Sequence, residues 1–213
     1  MSLQLATFKR FLGGSKEEVE SKGGVDGDLA VSQYMPAGAL VTSTGAGYQA
    51  MTTTAGAALV VRPTTVPLAT LYNGENGGGK SYIIERAFTH CLVSSAASES
   101  RFAIWLCVHP AGTDEDIADT ITTKNNTAGK AGYAGNANLA LATAVADDGW
   151  FPWSVSQDVE PTGVLPGAVA IAEVNGRIIL PPRASLSIAV VASLVSCTFV
   201  AGFHWYERQI DLG

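Results

Sequence analysis

Charge is scarce in this chain. Of its 213 residues 15% are charged, against about 25% in ordinary domains. The formal net charge is −6. Basic residues do not cluster or interleave with aromatics, so the converging cations that phosphate neutralisation needs are missing and no direct nucleic-acid contact is expected. Long apolar runs are missing as well. None approaches the length of a membrane span, so no membrane association is expected. Lys9 and Arg10 are not followed by the apolar stretch of a secretory signal. Cysteine is limited to Cys91, Cys107 and Cys197, each inside an apolar run. An odd, unpatterned set gives no disulfide framework, fits assembly in a reducing cytoplasm, and reads as three small buried hydrophobes. There is no G-x-S-x-G, no C-x-x-C and no H-x₃-H, so no catalytic residue, cofactor or metal is expected.

What the chain has in quantity is apolar and small. Hydrophobic residues make up 47%, and there are 23 glycines. Together with many Thr, Ser and Ala residues they favour short strands and tight turns over long helices. A surface so poor in charge suits a subunit that packs against copies of itself. The clearest pattern lies near the C-terminus. Ala184, Leu186, Ile188, Val190 and Ala192 alternate with smaller residues, and Cys197, Phe199, Ala201, Phe203 and Trp205 alternate in the same way. A period of two is the mark of a half-buried strand. The break near Val195 and Ser196 predicts that the two form a hairpin. Pro181 and Pro182 cannot donate ladder hydrogen bonds and place a turn or an edge before it.

Two regions are expected. Residues 1–65 read as an N-terminal arm or small β-subdomain for attachment. Ser2–Leu12 suits a short helix or strand, Gly13–Gly27 a flexible charged linker, and Leu29–Tyr34, Ala39–Thr42 and Ala57–Arg62 short β-like pieces. Residues 66–213 read as an antiparallel, jelly-roll-like β-sandwich, which makes the protein all-β. Its candidate strands are Ala69–Tyr72, Tyr82–Val93, Arg101–His109, Val169–Glu173, Arg177–Leu180, Ser185–Ala192 and Thr198–Arg208. Asp114–Ala146 is a long polar excursion, with a short helix or strand at Leu139–Val145. Connections of that length usually serve function or an interface.

Several constellations bear on chemistry. Gly74–Ser81 (GENGGGKS) fits the phosphate-loop pattern G-x-x-x-x-G-K-[ST]. A true phosphate loop opens a helix, whereas here Tyr82-Ile83-Ile84 follows, so the segment is read as a glycine-rich turn between strands. Asp114, Glu115, Asp116 and Asp119 lack the spacing of a calcium loop and read as a solvated acidic loop. Cys107 and His109 share a strand face, as two zinc ligands would. Cys197 and His204 do not. Asp147-Asp148 reads as a turn. Trp150, Phe151, Pro152 and Trp153 form an aromatic run suited to filling a neighbour's pocket, to packing in the protein's own core, or to stacking on a sugar. In the arm, Leu3, Leu5, Phe8 and Phe11 are candidate anchors on a partner, reached by adding a strand to its sheet edge.

Three segments carry a resemblance: PLATLYNGENGGGKSYIIERAF, NGRIILPPRASLSIAV and CTFVAGFHWYE. They look like the strand–Gly-Lys turn–strand opening, the Pro-containing bend and the closing strand, ending in a Trp–Glu-like pair, of tailed-bacteriophage virion structural proteins. The resemblance spans about two-thirds of the chain. It implies a non-enzymatic capsid decoration or cement protein on the outside of the virion, a homotrimer whose partners are the major capsid protein and itself. It also implies a structural rather than nucleotide-binding Gly-Lys turn. The alternative within this class is a fibre or receptor-binding domain. The enzymatic alternative is a phosphate-loop nucleotide-binding protein.

Overall fold

The computed structural model describes residues 7–12, 15–20, 37–64, 66–93, 102–112, 123–127, 135–141, 149–155, 168–192 and 197–210. The chain divides into two compact units, Met1–Leu40 and Val41–Gly213. In the first, β1 (Thr7–Leu12) and β2 (Ser15–Glu20) pair antiparallel. The charged stretch expected to be a linker is therefore partly a strand. Its register sets Lys9 against Glu18 and Arg10 against Glu17, and opposite charges at paired positions favour pairing.

Helix α1 (Ala37–Ser43) lies where a β-like piece was expected. Ala37, Ala39 and Leu40 favour helix, whereas Val41, Thr42 and Ser43 favour it less, and the helix stops at Ser43, two residues before Gly45, whose φ is 79°. That left-handed conformation suits glycine just beyond a helix. Two short strands follow, β3 (Gly47–Met51) and β4 (Gly56–Ala57). The remaining strands are β5 (Ala69–Asn73), β6 (Ser81–Val93), β7 (Phe102–His109), β8 (Lys124–Asn125), β9 (Ala137–Leu141), β10 (Phe151–Val155), β11 (Val169–Leu180), β12 (Ser185–Ala192) and β13 (Thr198–Arg208).

These strands build an all-β sandwich of two antiparallel sheets, with strand orders β10-β7-β12-β5-β9 and β11-β6-β13-β3-β8; β4 also pairs with β13. Successive strands mostly change sheet, as in jelly-roll-like folds. The core lies between the sheets. Leu186, Ile188, Val190, Leu106 and Ile104 come from one side, and Phe199, Phe203, Trp205, Tyr82 and Ile84 from the other. The rings of Phe102 and Phe199 meet across it at 4.7 Å between centroids.

Both C-terminal strands form, but not as a hairpin. β12 is central in the five-stranded sheet and β13 in the six-stranded one. Each carries one stripe of large apolar side chains, and the two stripes meet in one core from opposite sheets.

β3 and β4 hydrogen-bond to β13, and Leu59 exchanges backbone hydrogen bonds with Val190 and Ala192. Residues 47–59, read from sequence as part of the arm, thus pair with strands of the sandwich. The segment expected to be helix or strand near Leu139 is strand β9. Val169–Glu173 and Arg177–Leu180 join into β11 around a bulge, where Asn175 (φ 51°) and Gly176 (φ 75°) turn the chain out of the ladder.

Candidate functional site

The three segments that carry the resemblance converge at one end of the sandwich. The Gly74–Ser81 loop joins β5 to β6, so it crosses from one sheet to the other and opens a strand, not a helix. Fully buried Asn73 holds it from below. Its Nδ2 donates to the carbonyl oxygens of Lys80 at 2.9 Å and Leu180 at 3.0 Å, and its Oδ1 accepts from the Glu75 amide at 3.1 Å. The Arg183 amide, in the bend after the two prolines, donates to the Asn73 carbonyl at 2.7 Å. One asparagine thus ties the loop, the end of β11 and the bend together.

The last strand supplies the other half of this clamp. Lys80 Nζ lies 3.3 Å from Glu207 Oε2, and Trp205 Nε1 donates to Glu207 Oε1 at 3.3 Å. The Glu207 side chain is 1% exposed and that of Lys80 is 47% exposed. A buried carboxylate is stable only with donors and an opposite charge around it, and Trp205 and Lys80 provide both. Trp205 packs between Tyr48 and Tyr82, with centroids 6.2 and 6.1 Å away. Burial first, and Glu207 second, raise the Tyr48 hydroxyl above its ordinary pKa. In a nucleotide site the lysine would reach out to phosphate. Here it points back to the protein's own glutamate, and the loop crosses between sheets.

A second polar cluster sits on the outward face of the five-stranded sheet. His109 Nε2 is 2.9 Å from Ser187 Oγ, which is 2.8 Å from Thr70 Oγ1. Cys107 Sγ lies 3.9 Å from His109 Nδ1. All four residues are fully buried. Cys107 and His109 do share a face, as the alternation requires. Among the described residues, no group of three or more His, Cys, Asp or Glu side chains is arranged to hold a metal. The three cysteines are buried and are not joined in a disulfide. Burial, then the neighbouring Cys197, pushes the Cys91 thiol up to about 11.

The aromatic run splits between two roles. Trp150 is 3% exposed and packs on Cys107 and Ala189, edge-on to His109. It therefore packs on its own sheet, the core-packing alternative. Trp153 is half-buried against the core, and its Nε1 donates to the Glu173 carbonyl at 3.3 Å. Phe151, between them in sequence, is the exposed ring, on the edge strand across from Leu106. In the N-terminal unit, Phe8 and Phe11 occupy β1 at the register positions of Val19 and Lys16. Leu3, Leu5, the acidic cluster Asp114–Asp119 and Asp147-Asp148 lie outside the described residues.

Sequence reasoning missed the exposed row on the outward side of β11, where Val169 and Ile171 stand across from His90 and Phe88. The alternation of Val169, Ile171 and Glu173 with Ala170, Ala172 and Val174 was the available signal: the larger apolar residues lie on the outward side. Compared with known proteins, the chain matches no family model and no curated sequence.

Proposed function

We propose that this chain is a capsid decoration protein of a tailed bacteriophage, a trimer that binds the assembled head from outside and stabilises it. The observation that carries the reading is the clamp. Segments that resemble virion proteins in sequence, far apart along the chain, meet through Asn73, Lys80, Trp205 and Glu207. In this reading the Gly-Lys turn is a structural tie. A rigid two-sheet body suits a protein whose work is to hold a surface. Binding only the assembled shell stabilises it by mass action, and three copies joined together convert modest contacts into tight attachment.

Attachment through residues 1–40, with β1 and β2 as its strands, is part of the proposal. Major capsid protein and self are the partners. The test is uptake by purified shells that lack the protein. Shells are expected to bind it in numbers that follow the lattice and to resist heating better once coated. Absence of uptake overturns the reading. A few copies at one vertex replace it with the fibre alternative.

A further inference from the structure

We propose that the outward face of the six-stranded sheet is the surface on which a second copy of this chain packs, face to face about a two-fold axis that runs along β13. The inference goes beyond the decoration reading and does not rest on it. The axis joins two chains, or two trimers where a three-fold contact also forms.

The strand registers set this face out in rows. Ile171, Phe88, Gly202 and Met51 lie abreast across β11, β6, β13 and β3. The next row is Glu173, Arg86, His204, Gln49 and Lys124, which reaches β8. Beyond these rows β11 adds Val169 at one end and Ile179 at the other, beside His90 and Ile83. These positions point away from the core, since the alternate residues Ala172, Ala87, Phe203 and Ala50 lie in it. Val169, Ile171, Ile179 and Met51 are 36% to 46% exposed. Hydrophobics exposed singly are ordinary; here they share one face and flank a single charged row, as contact surfaces do.

The charged row says how the second copy lies. Glu173 and Lys124 stand at its two ends, on the outermost strands. Rotation about an axis along β13 sets each row over itself and reverses the strand order. Glu173 then meets the second copy's Lys124, and Arg86 meets its Gln49. Phe88 arrives over the second copy's Met51, at a hollow of about 290 Å³ lined by Gln49, Ala50, Met51, Phe88 and Lys124. His204 lies on the axis and meets its copy; burial, then Arg86, hold its pKa below 6.5, so the paired rings are uncharged at neutral pH. An axis across the strands would instead set Glu173 on Glu173 and Lys124 on Lys124, and like charges so placed are strongly unfavourable.

Net charge and size agree with a second copy. Each chain carries −6, but on this row Glu173 is held by Arg86 at 2.8 Å and Lys124 is basic, so repulsion between copies is not concentrated here. Five strands about 4.8 Å apart, followed for roughly seven residues, give a face on the order of 600 Å². Two copies then bury about 1,200 Å², the lower end of specific interfaces.

Light scattering coupled to gel filtration of the full chain, over a series of concentrations, tests this. The expected mass is an even multiple of the 22.1 kDa of one chain. Ile171→Lys, beside the second copy's Lys124, should halve it with an unchanged far-ultraviolet spectrum. Lys124→Glu, at an exposed position, should weaken pairing about tenfold, because the two-fold axis makes the change count twice. Adding Glu173→Lys to Lys124→Glu should restore pairing. Val61→Lys, at a valine 67% exposed beside Arg62, whose guanidinium bonds the Trp150 carbonyl, should leave the mass unchanged. A wild-type mass of one or three chains overturns the inference. So does an even assembly that neither Ile171→Lys nor Lys124→Glu splits, or a loss on Lys124→Glu that the double change does not restore. None of these results touches the decoration reading, which falls only with absence of shell uptake.

Discussion

On the five-stranded sheet the outward row of Thr70, Ser187, His109 and Cys107 is fully buried and linked by hydrogen bonds, with Trp150 packed over part of it. On the six-stranded sheet the outward positions of β11, Val169, Ile171 and Ile179, are 36–41% exposed. The chemistry is the reverse of what solvent alone would select, since polar groups are hidden and aliphatic ones are shown. A buried hydroxyl or imidazole persists only when its partners are fixed, so the first face is finished within the chain. An exposed aliphatic row is only partly removed from water, so the second face is the less finished of the two.

The sharpest way to break this contrast is to truncate one outward side chain on each sheet. Trp150→Ala removes a large buried ring and is expected to cost about 3–5 kcal/mol. Met51→Ala, outward on β3 and 46% exposed, is expected to cost under about 1 kcal/mol. Denaturant unfolding midpoints of the two variants check this. Similar losses would show that the outward faces are not different.

Next in size is the hydrogen-bond row itself. Ser187→Ala takes the shared partner from both Thr70 and His109. A buried polar group left without its partner costs about 1–3 kcal/mol. The same substitution at exposed serines should lie near zero, measured by the same unfolding curves.

How much of this was readable beforehand follows from what periodicity encodes. Alternation along Leu186–Ala192 and Phe199–Trp205 states which residues share a face, and both stripes lie in the core. It does not state which sheet a strand joins, because both sheets turn apolar rows to one core. Hence a hairpin was expected where there is a crossover. β12 also held a clue to the hidden face. Ser185 and Ser187 alternate with large aliphatics, yet they are small enough to be buried on a strand covered from both sides. The turn reading of Gly74–Ser81 rested on the β-branched residues after Ser81, and that strand is present. The clamp was legible only as separate letters, since Asn73, Lys80 and Glu207 meet through tertiary closure. Nothing local in Gly47–Ala57 names its partner, and the pairing of β3 and β4 with β13 is visible only in the fold.

The clamp, where the two sheets are tied together, gives a smaller effect. Lys80→Met removes the cation beside Glu207. Because the lysine is 47% exposed, water screens the pair, and a loss of about 1 kcal/mol is expected. Titration of the wild type with ATP and Mg²⁺ should give no binding heat. Binding abolished by Lys80→Met would make this loop a nucleotide site after all.

The smallest effect compares histidines on the two faces. His204 lies on the outward side of β13, edge-on to Phe88 with centroids 5.3 Å apart. Burial, and then the Arg86 guanidinium, lower its pKa below the ordinary 6.5, while Glu173 opposes them. The folded state therefore disfavours the charged ring, and below pH 6.5 the unfolded chain binds the proton more readily. The contribution is fully present above that ordinary value and is lost as pH falls through the folded-state value. His204→Gln keeps a polar side chain and removes the titration. Unfolding free energies of wild type and variant, measured across this acid range, should diverge, with the wild type falling more steeply. Parallel curves would mean that His204 is as freely solvated in the folded protein as in the unfolded chain. The outward face of the six-stranded sheet would then be open to water around Phe88 and Arg86 as well as along β11.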